Sequence, residues 1–351
     1  SVAGALRSGN DQGYARALEP RQFSFPADHG PHPEFRTEWW YYTGNLETAE
    51  GRRFGFQLTF FRSALAPEMP ARESAWATRQ AWLAHFAVSD VEGGRFLSSE
   101  HWSRGAAGLA GIQTAPFRVW IKDWSARAVE GPVFPMRLQA SAGDVVLDLA
   151  LQQGKPAVLQ GERGLSRKSA EPGNASYYYS LTHMPATGTI LLGGERFTVT
   201  GLAWMDREWS TSSLGADQVG WDWFALQLAD GQDLMLYQLR RKNGDTDPAS
   251  SGTLVGPDGG SRPLSSADFS IESLAQWTSP RSGAGYPARW RVRVPSEELD
   301  VEIRPLLPDQ ELDVSFRYWE GAVAVDGARR GRPVQGRGYV ELTGYTDSKD
   351  R

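Results

Sequence analysis

The chain contains no cysteine in its 351 residues, and that absence removes disulfides, thiol nucleophiles and thiolate metal centres together. It does not fix a compartment, because exported proteins also do without cysteine. No apolar run approaches the roughly 18 residues that a membrane-crossing helix requires. There is no Gly-x-Ser-x-Gly nucleophile elbow, and no dinucleotide or P-loop fingerprint. No long segment carries a helical period. Lysine and arginine form no block, and with 37 of them against 42 acidic residues the net charge is −5. Nucleic acid and anionic membrane surfaces are therefore poor partners.

What the chain does have is rings. It carries 14 Trp, 11 Tyr and 15 Phe, enough to require large cores or a lined cavity. Trp39, Trp40, Tyr41 and Tyr42 are consecutive, and Phe54, Phe56, Leu58 and Phe60 follow on one parity against Gly55, Gln57 and Thr59 on the other. That period of two predicts an aromatic hairpin with one buried face. The pattern recurs. Trp39, Tyr41, Tyr42, Asn45 and Leu46 align at one constant spacing with Trp221, Trp223, Phe224, Gln227 and Leu228, and Val199–Asp206 resembles Val334–Glu341. An internal duplication of this kind decides the architecture before any single motif does.

Short alternating segments follow throughout: residues 81–89, 117–124, 136–140, 145–151, 177–182 and 189–192 in the first unit, and 290–294, 301–303 and 312–318 in the second. They predict an all-β protein of two tandem units built as antiparallel barrels or sandwiches. The expected divisions are a flexible lead-in over 1–21, a first barrel over 22–210 and a second over 211–351. The Pro-bearing stretch 66–74 reads as a surface loop, and the charged stretch 155–174 as surplus of the first unit.

The candidate chemistry begins with Asp206, Arg207, Glu208 and Trp209, which close the first unit. Carboxylates at a domain junction are suited to acid or base work when burial tunes them, although Arg207 neutralising both acids is the simpler structural meaning. His29, His32, Glu34, Arg36 and Glu38 precede the aromatic strand. A proline interrupts their His-x-x-His spacing, so they read as a barrel mouth rather than a metal site. His85 and His183 sit in apolar surroundings, which usually means satisfied interior residues. The rings of Trp39, Trp40, Tyr41, Trp221 and Trp223 either line an apolar pocket or fill a core, and an inward parity in a small barrel favours filling.

The strings FPADHGPHPEFRTEWWYYTGNL, AHFAVSD, KPAVLQGERGLSRK, YYYSLTHMPATGTI, GLAWMDREWST, GWDWFALQL and GRGYVELTGY together resemble the AttH-like proteins, predicted secreted bacterial proteins related to carotenoid 1,2-hydratase. The resemblance spans about Phe23 to Tyr345. It implies two consecutive lipocalin-like barrels, export to the periplasm with a signal peptide removed, and a hydrophobic small-molecule ligand. The hydratase branch carries a histidine at the position of Arg207. A guanidinium is a poor proton shuttle, so acid and base roles would fall to Asp206 and Glu208.

The leading expectation is binding, extending to transfer, of a lipid-like or isoprenoid molecule in the first barrel or at the junction. Its pocket would use Trp39, Trp40, Tyr41, Arg207, Trp209, Trp221, Trp223, His32 and Glu38, with no metal and no cofactor. The alternative is a hydratase, isomerase or cyclase acting on an unsaturated hydrophobic substrate, with Asp206, Glu208 and His85 as acid or base. A third reading is a non-catalytic periplasmic scaffold of an export system. The loop from His29 to Glu38 has no mate in the second unit and marks the first place to look for a pocket.

Overall fold

Alternating residues of the opening strand, Thr37–Glu47, face two different cores. Trp40, Tyr42 and Leu46 belong to one apolar cluster, and Tyr41 belongs to another. A strand buried on both faces needs a layer on each side, and that requirement organises the molecule. A computed structural model describes residues 11–67, 79–212 and 214–346, and it is all-β: a 13-stranded and a 10-stranded antiparallel sheet with two single-turn 3-10 segments. Most of the loop expected over 66–74 lies outside the described residues.

The first sheet runs from Thr37 to Ser212. The opening strand pairs with Arg53–Ala64 on one side and with Glu195–Ser212 on the other. The strand Arg118–Ile121 comes back against the strands 53–64, 80–90 and 95–104, so the sheet encloses its own core. The second sheet runs from Gln218 to Leu342 and repeats the motif, with Gln218–Leu228 flanked by Asp233–Arg241 and Arg332–Leu342. These are two tandem lipocalin-like barrels, but neither interior is a hollow calyx. Trp40, Trp82, Trp124 and Trp209 fill the first and Trp290 and Trp319 the second, all essentially buried.

Three expectations are revised. Residues 117–124 do not form one strand: they end a strand at Ile121, turn through Lys122 at φ 53° and begin another at Trp124. Residues 175–192 form one long strand in place of two flanking a proline turn. A bulge between Leu181 and Met184 takes up the irregularity just before Pro185, which has no N–H to give to the ladder. Residues 11–20 pack on the first barrel, with Ala17 fully buried and the Tyr177 hydroxyl donating to the Glu19 carbonyl at 2.8 Å.

The barrels meet back to back through the outer faces of their opening strands. Tyr41, Tyr178, Trp204, Trp223, Met235 and Tyr339 form a third apolar cluster between them. Polar bonds cross the seam as well. Asn45 donates to the Gly338 carbonyl at 2.9 Å and Ser89 to Gln310 at 2.7 Å. Lys155 and Thr182 converge on the fully buried Asp233 at 2.7 and 2.8 Å. Approach is close at Gly55, where an added Cβ would stand 2.6 Å from the Ala322 Cβ.

The seam therefore has no room for a methyl at that point. Gly55→Ala should lower stability by about 1–3 kcal/mol through overpacking. Gly285→Ala, at a strand position where the new Cβ meets nothing within 4 Å, should change it by less than about 0.5 kcal/mol. Urea unfolding of both variants checks the contrast, and equal midpoints would show that the barrels are not in contact at Gly55.

Candidate functional site

The strand Glu195–Ser212 places Asp206 and Glu208 on the outer face of the first barrel, because residues two apart in a strand share a face. Their cross-strand partners in the opening strand are Tyr41 and Trp39. In the second barrel the corresponding pair is Trp223 and Glu341. The duplication thus brings two ring-plus-acid pairs to one place, and between the barrels they bound a cavity partly open to solvent. Trp221, Tyr237 and Leu239 add apolar wall, and Glu320, Tyr318 and Lys168 add polar groups.

Four carboxyl groups in an aromatic cavity cannot all be charged cheaply. Asp206 accepts from Ser180 at 2.6 Å, Trp204 at 2.7 Å and Tyr178 at 2.5 Å. Burial nevertheless outweighs these donors, and with the charge of Glu208 nearby it raises Asp206 to about 7. Glu341 is raised to about 8, first by burial, with Trp221 opposing and Asp206 and Glu208 reinforcing. Its residual exposure is toward the cavity it lines. Glu320 is 1% exposed and neither of its oxygens accepts a direct hydrogen bond. Burial and the Glu341 charge push it well up, and the nearby Tyr41 and Tyr318 hydroxyls offset this only in part.

Glu208 differs from the other three. It accepts from Ser176 and pairs with the Lys168 ammonium at 3.2 Å. Burial works against the charge on Lys168, but the Glu208 carboxylate prevails and raises it. The rings of Tyr237 and Tyr178, 4.4 and 5.2 Å from the ammonium, add cation–π support. The cavity therefore holds acids kept toward their neutral form beside one ion-paired carboxylate.

The structure brings together Asp206, Glu208, Trp39, Tyr41, Trp221 and Trp223 of the residues expected from sequence. It places Arg207, Trp209, Trp40, His32 and Glu38 elsewhere, inside the first barrel, because each lies on the opposite parity or in the loop that plugs the mouth. Arg207 is fully buried, bonds Glu38 and the Gly30 carbonyl, and lies 4.0 Å over Trp40. Glu38 also receives Arg62 at 2.5 Å. Both guanidiniums, chiefly Arg207, hold its carboxyl well below the usual range despite complete burial. His32 stacks on Trp209 at 3.7 Å and sits 2.9 Å from Asp28. The 29–38 loop closes the barrel, and none of its residues lines the inter-barrel cavity.

His85 is fully buried behind the cavity wall, with Nδ1 2.7 Å from the Tyr318 hydroxyl. Burial lowers it to about 3, so it is a neutral imidazole that positions Tyr318. His183 lies 3.2 Å from Asp233 in the seam. Among the described residues no group of three His, Asp or Glu side chains is placed to hold a metal ion.

Sequence reasoning missed Lys168, Glu320, Tyr178, Tyr237 and Tyr318 as site residues. Glu341 was visible only as the repeat mate of Asp206, and that relation was the available signal: mates on one parity face a shared seam. Nothing local distinguishes Lys168 within its charged segment.

A family model described as AttH-like matches residues 16–345, and the chain belongs to that family. A crystal structure of a Nitrosomonas europaea protein assigned to AttH is 38% identical, covers 94% of this chain and 100% of its own, and superposes with a TM-score of 0.83. Kievitone hydratase from Nectria haematococca shares the fold at 14% identity, with a TM-score of 0.70 over 95% of this chain and 98% of its own. CghA does so at 15% identity, with a TM-score of 0.54 over 97% and 98%. No curated protein matches the chain by sequence.

Two consequences are measurable. Raised carboxyls mean that the folded chain holds protons which the unfolded chain releases, so stability is present below their folded values and is lost as pH rises through them. The buried histidines act oppositely, but only below their ordinary value near 6.5. Between about pH 7 and 9, stability should fall by about 1.4 kcal/mol for each group titrating near 8. Urea midpoints should show this fall in the native chain, and Glu320→Gln with Glu341→Gln should flatten it; an unchanged slope would contradict the assignment. Independently, Glu38→Ala should cost roughly 3–5 kcal/mol, since it leaves two buried guanidiniums uncompensated, as a shift in the same midpoints would show.

Proposed function

We propose that the inter-barrel cavity is an active site for acid–base chemistry on a neutral, hydrophobic, unsaturated molecule, with addition of water to a carbon–carbon double bond as the reaction. The observation that carries this reading is the coexistence of neutral-leaning carboxyls and an ion-paired carboxylate within one aromatic cavity. A carrier of apolar molecules gains nothing from burying four carboxyl groups, each of which costs desolvation. An enzyme that must protonate a weakly basic alkene near neutral pH needs such acids. Binding of a hydrophobic molecule is retained as the first step. The fold shared with kievitone hydratase is compatible with this chemistry and does not by itself establish it.

The reaction balances with residues of this chain. A carboxyl held protonated, Asp206 or Glu341, gives its proton to one alkene carbon, and the other carbon becomes cationic. The faces of Trp39, Trp221 and Trp223 and the new carboxylate stabilise that cation. A water molecule attacks it and loses a proton to Glu208. That proton then restores the first acid, and the sum is alkene plus water giving alcohol. Lys168 keeps Glu208 paired and oriented between turnovers. An anionic substrate is disfavoured by the excess of carboxyl groups.

The test uses neutral isoprenoids and prenylated phenols incubated in ¹⁸O-water, with product masses read by chromatography and mass spectrometry. A product carrying one added labelled water is expected. Asp206→Asn and Glu208→Gln should each reduce its formation by roughly 10²–10⁴, while quenching of tryptophan fluorescence by the probe N-phenyl-1-naphthylamine persists. Turnover unchanged in both variants would refute the assignment, as would absence of probe binding to the native chain.

A further inference from the structure

We infer that a file of buried water runs through the seam between the barrels, from the inner end of the acid cavity to a cleft on the far side, and supplies the cavity when a substrate fills its mouth. The inference rests on the reading of the cavity as a hydration site. The strands that line the cavity continue past it and line a second opening. The opening strand contributes Trp39 and Tyr41 to the cavity and Asn45 to the cleft. The strand Tyr318–Arg329 contributes Tyr318 and Glu320 to the cavity and Ala324 and Asp326 to the cleft. The last strand contributes Glu341 to one and Arg337 and Gln335 to the other. Tyr41 to Asn45 is four residues, about 13 Å along a strand.

Between the two openings the seam should be dry if it were only a packing interface. Instead it carries buried polar atoms that make no well-formed direct hydrogen bond, Thr43 Oγ1, Gln57 Oε1, Tyr339 OH and, at the cleft, Asn45 Oδ1, although Ser89 lies near the Tyr339 hydroxyl and Tyr318 near Gln57. Thr43, Gln57, Tyr339 and Asn45 are 1–4% exposed. At the cavity end both oxygens of Glu320 and the Tyr41 hydroxyl continue the series. Thr43 and Gln57 are cross-strand neighbours, as are Tyr41 and Thr59. Buried polar groups without protein partners are the ones that hold ordered water, provided that several converge.

Hydration gives such a route its purpose. An apolar substrate that fits the cavity displaces water from it and covers its mouth, yet the reaction consumes one water per turnover. A polar path ending at Glu320 delivers water, and exchanges protons, from behind the substrate. Thr43, Gln57 and Tyr339 line neither the cavity nor the cleft, so altering them leaves the residues that line both in place.

The experiment uses the full chain saturated with N-phenyl-1-naphthylamine and follows the infrared band of the protonated carboxyls, identified by its loss in Glu320→Gln, after transfer to heavy water. In the native chain the band should shift promptly although the mouth is blocked. In Thr43→Val with Tyr339→Phe the shift should slow by about tenfold or more, as removal of bridging groups predicts. Equal exchange rates would overturn the proposal. A high-resolution crystal structure is the second arm, and Tyr339→Phe alone replaces the double variant if that one does not fold. Ordered waters joining Thr43, Gln57 and Tyr339 support the path, and direct bonds among these groups without water refute it. Failure of the probe to bind, or of labelled water to enter any product, counts against the hydration reading and leaves the crystallographic arm to judge the path.

Discussion

The alternation of Asp206, Arg207 and Glu208 is the constraint on which the rest depends. Arg207 reaches into the first barrel, where Glu38 meets it and Trp40 lies beneath it, so its two neighbours must face outward. A slip of one residue would put a guanidinium in the cavity and two carboxylates in an aromatic core. Buried ion networks are weak contributors to net stability and strong discriminators between arrangements when breaking them is costly. Here the discrimination is between the faces of a strand. The expense of burying Glu38, Arg62 and Arg207 is connected in this way to a site that none of them touches.

The duplication supplies the other half of the arrangement. A single barrel of this type has an acid on its outer face and nothing opposite it. Two copies packed back to back set Asp206 beside Glu341 and Tyr41 beside Trp223, and the environment that raises the carboxyls arises only from their apposition. Desolvation is the first cause for Asp206, Glu320 and Glu341 alike, and each barrel desolvates the acids of its partner. The copies have also diverged: Trp40 is answered by Asp222, which engages Arg240 and Tyr345 in its own barrel.

The lipocalin-like form invites a search for a ligand in a barrel interior, but the interiors are occupied. Six tryptophans, Trp40, Trp82, Trp124, Trp209, Trp290 and Trp319, fill them and are essentially buried, and the 29–38 loop seals the first barrel with Phe23, Phe25 and His29 against Tyr179. Ring density in the sequence therefore served two purposes at once. One parity of each opening strand filled a core, and the other built a cavity outside it.

By itself the sequence determined the all-β class, the duplication and the family. All of these are written in periodicity, internal repetition or long shared strings, which are local or linear properties. The tertiary structure alone decided that the cavity lined by rings and acids lies in the seam rather than at a barrel mouth. It also decided that Lys168, Glu320 and Glu341 join Asp206 and Glu208 there, and that His32, Glu38, Arg207 and Trp209 serve the fold. The physical reason is that a strand pattern specifies two faces without saying what covers each. Whether a carboxyl is a solvated surface group or a proton donor depends on a surface brought to it from elsewhere in the chain.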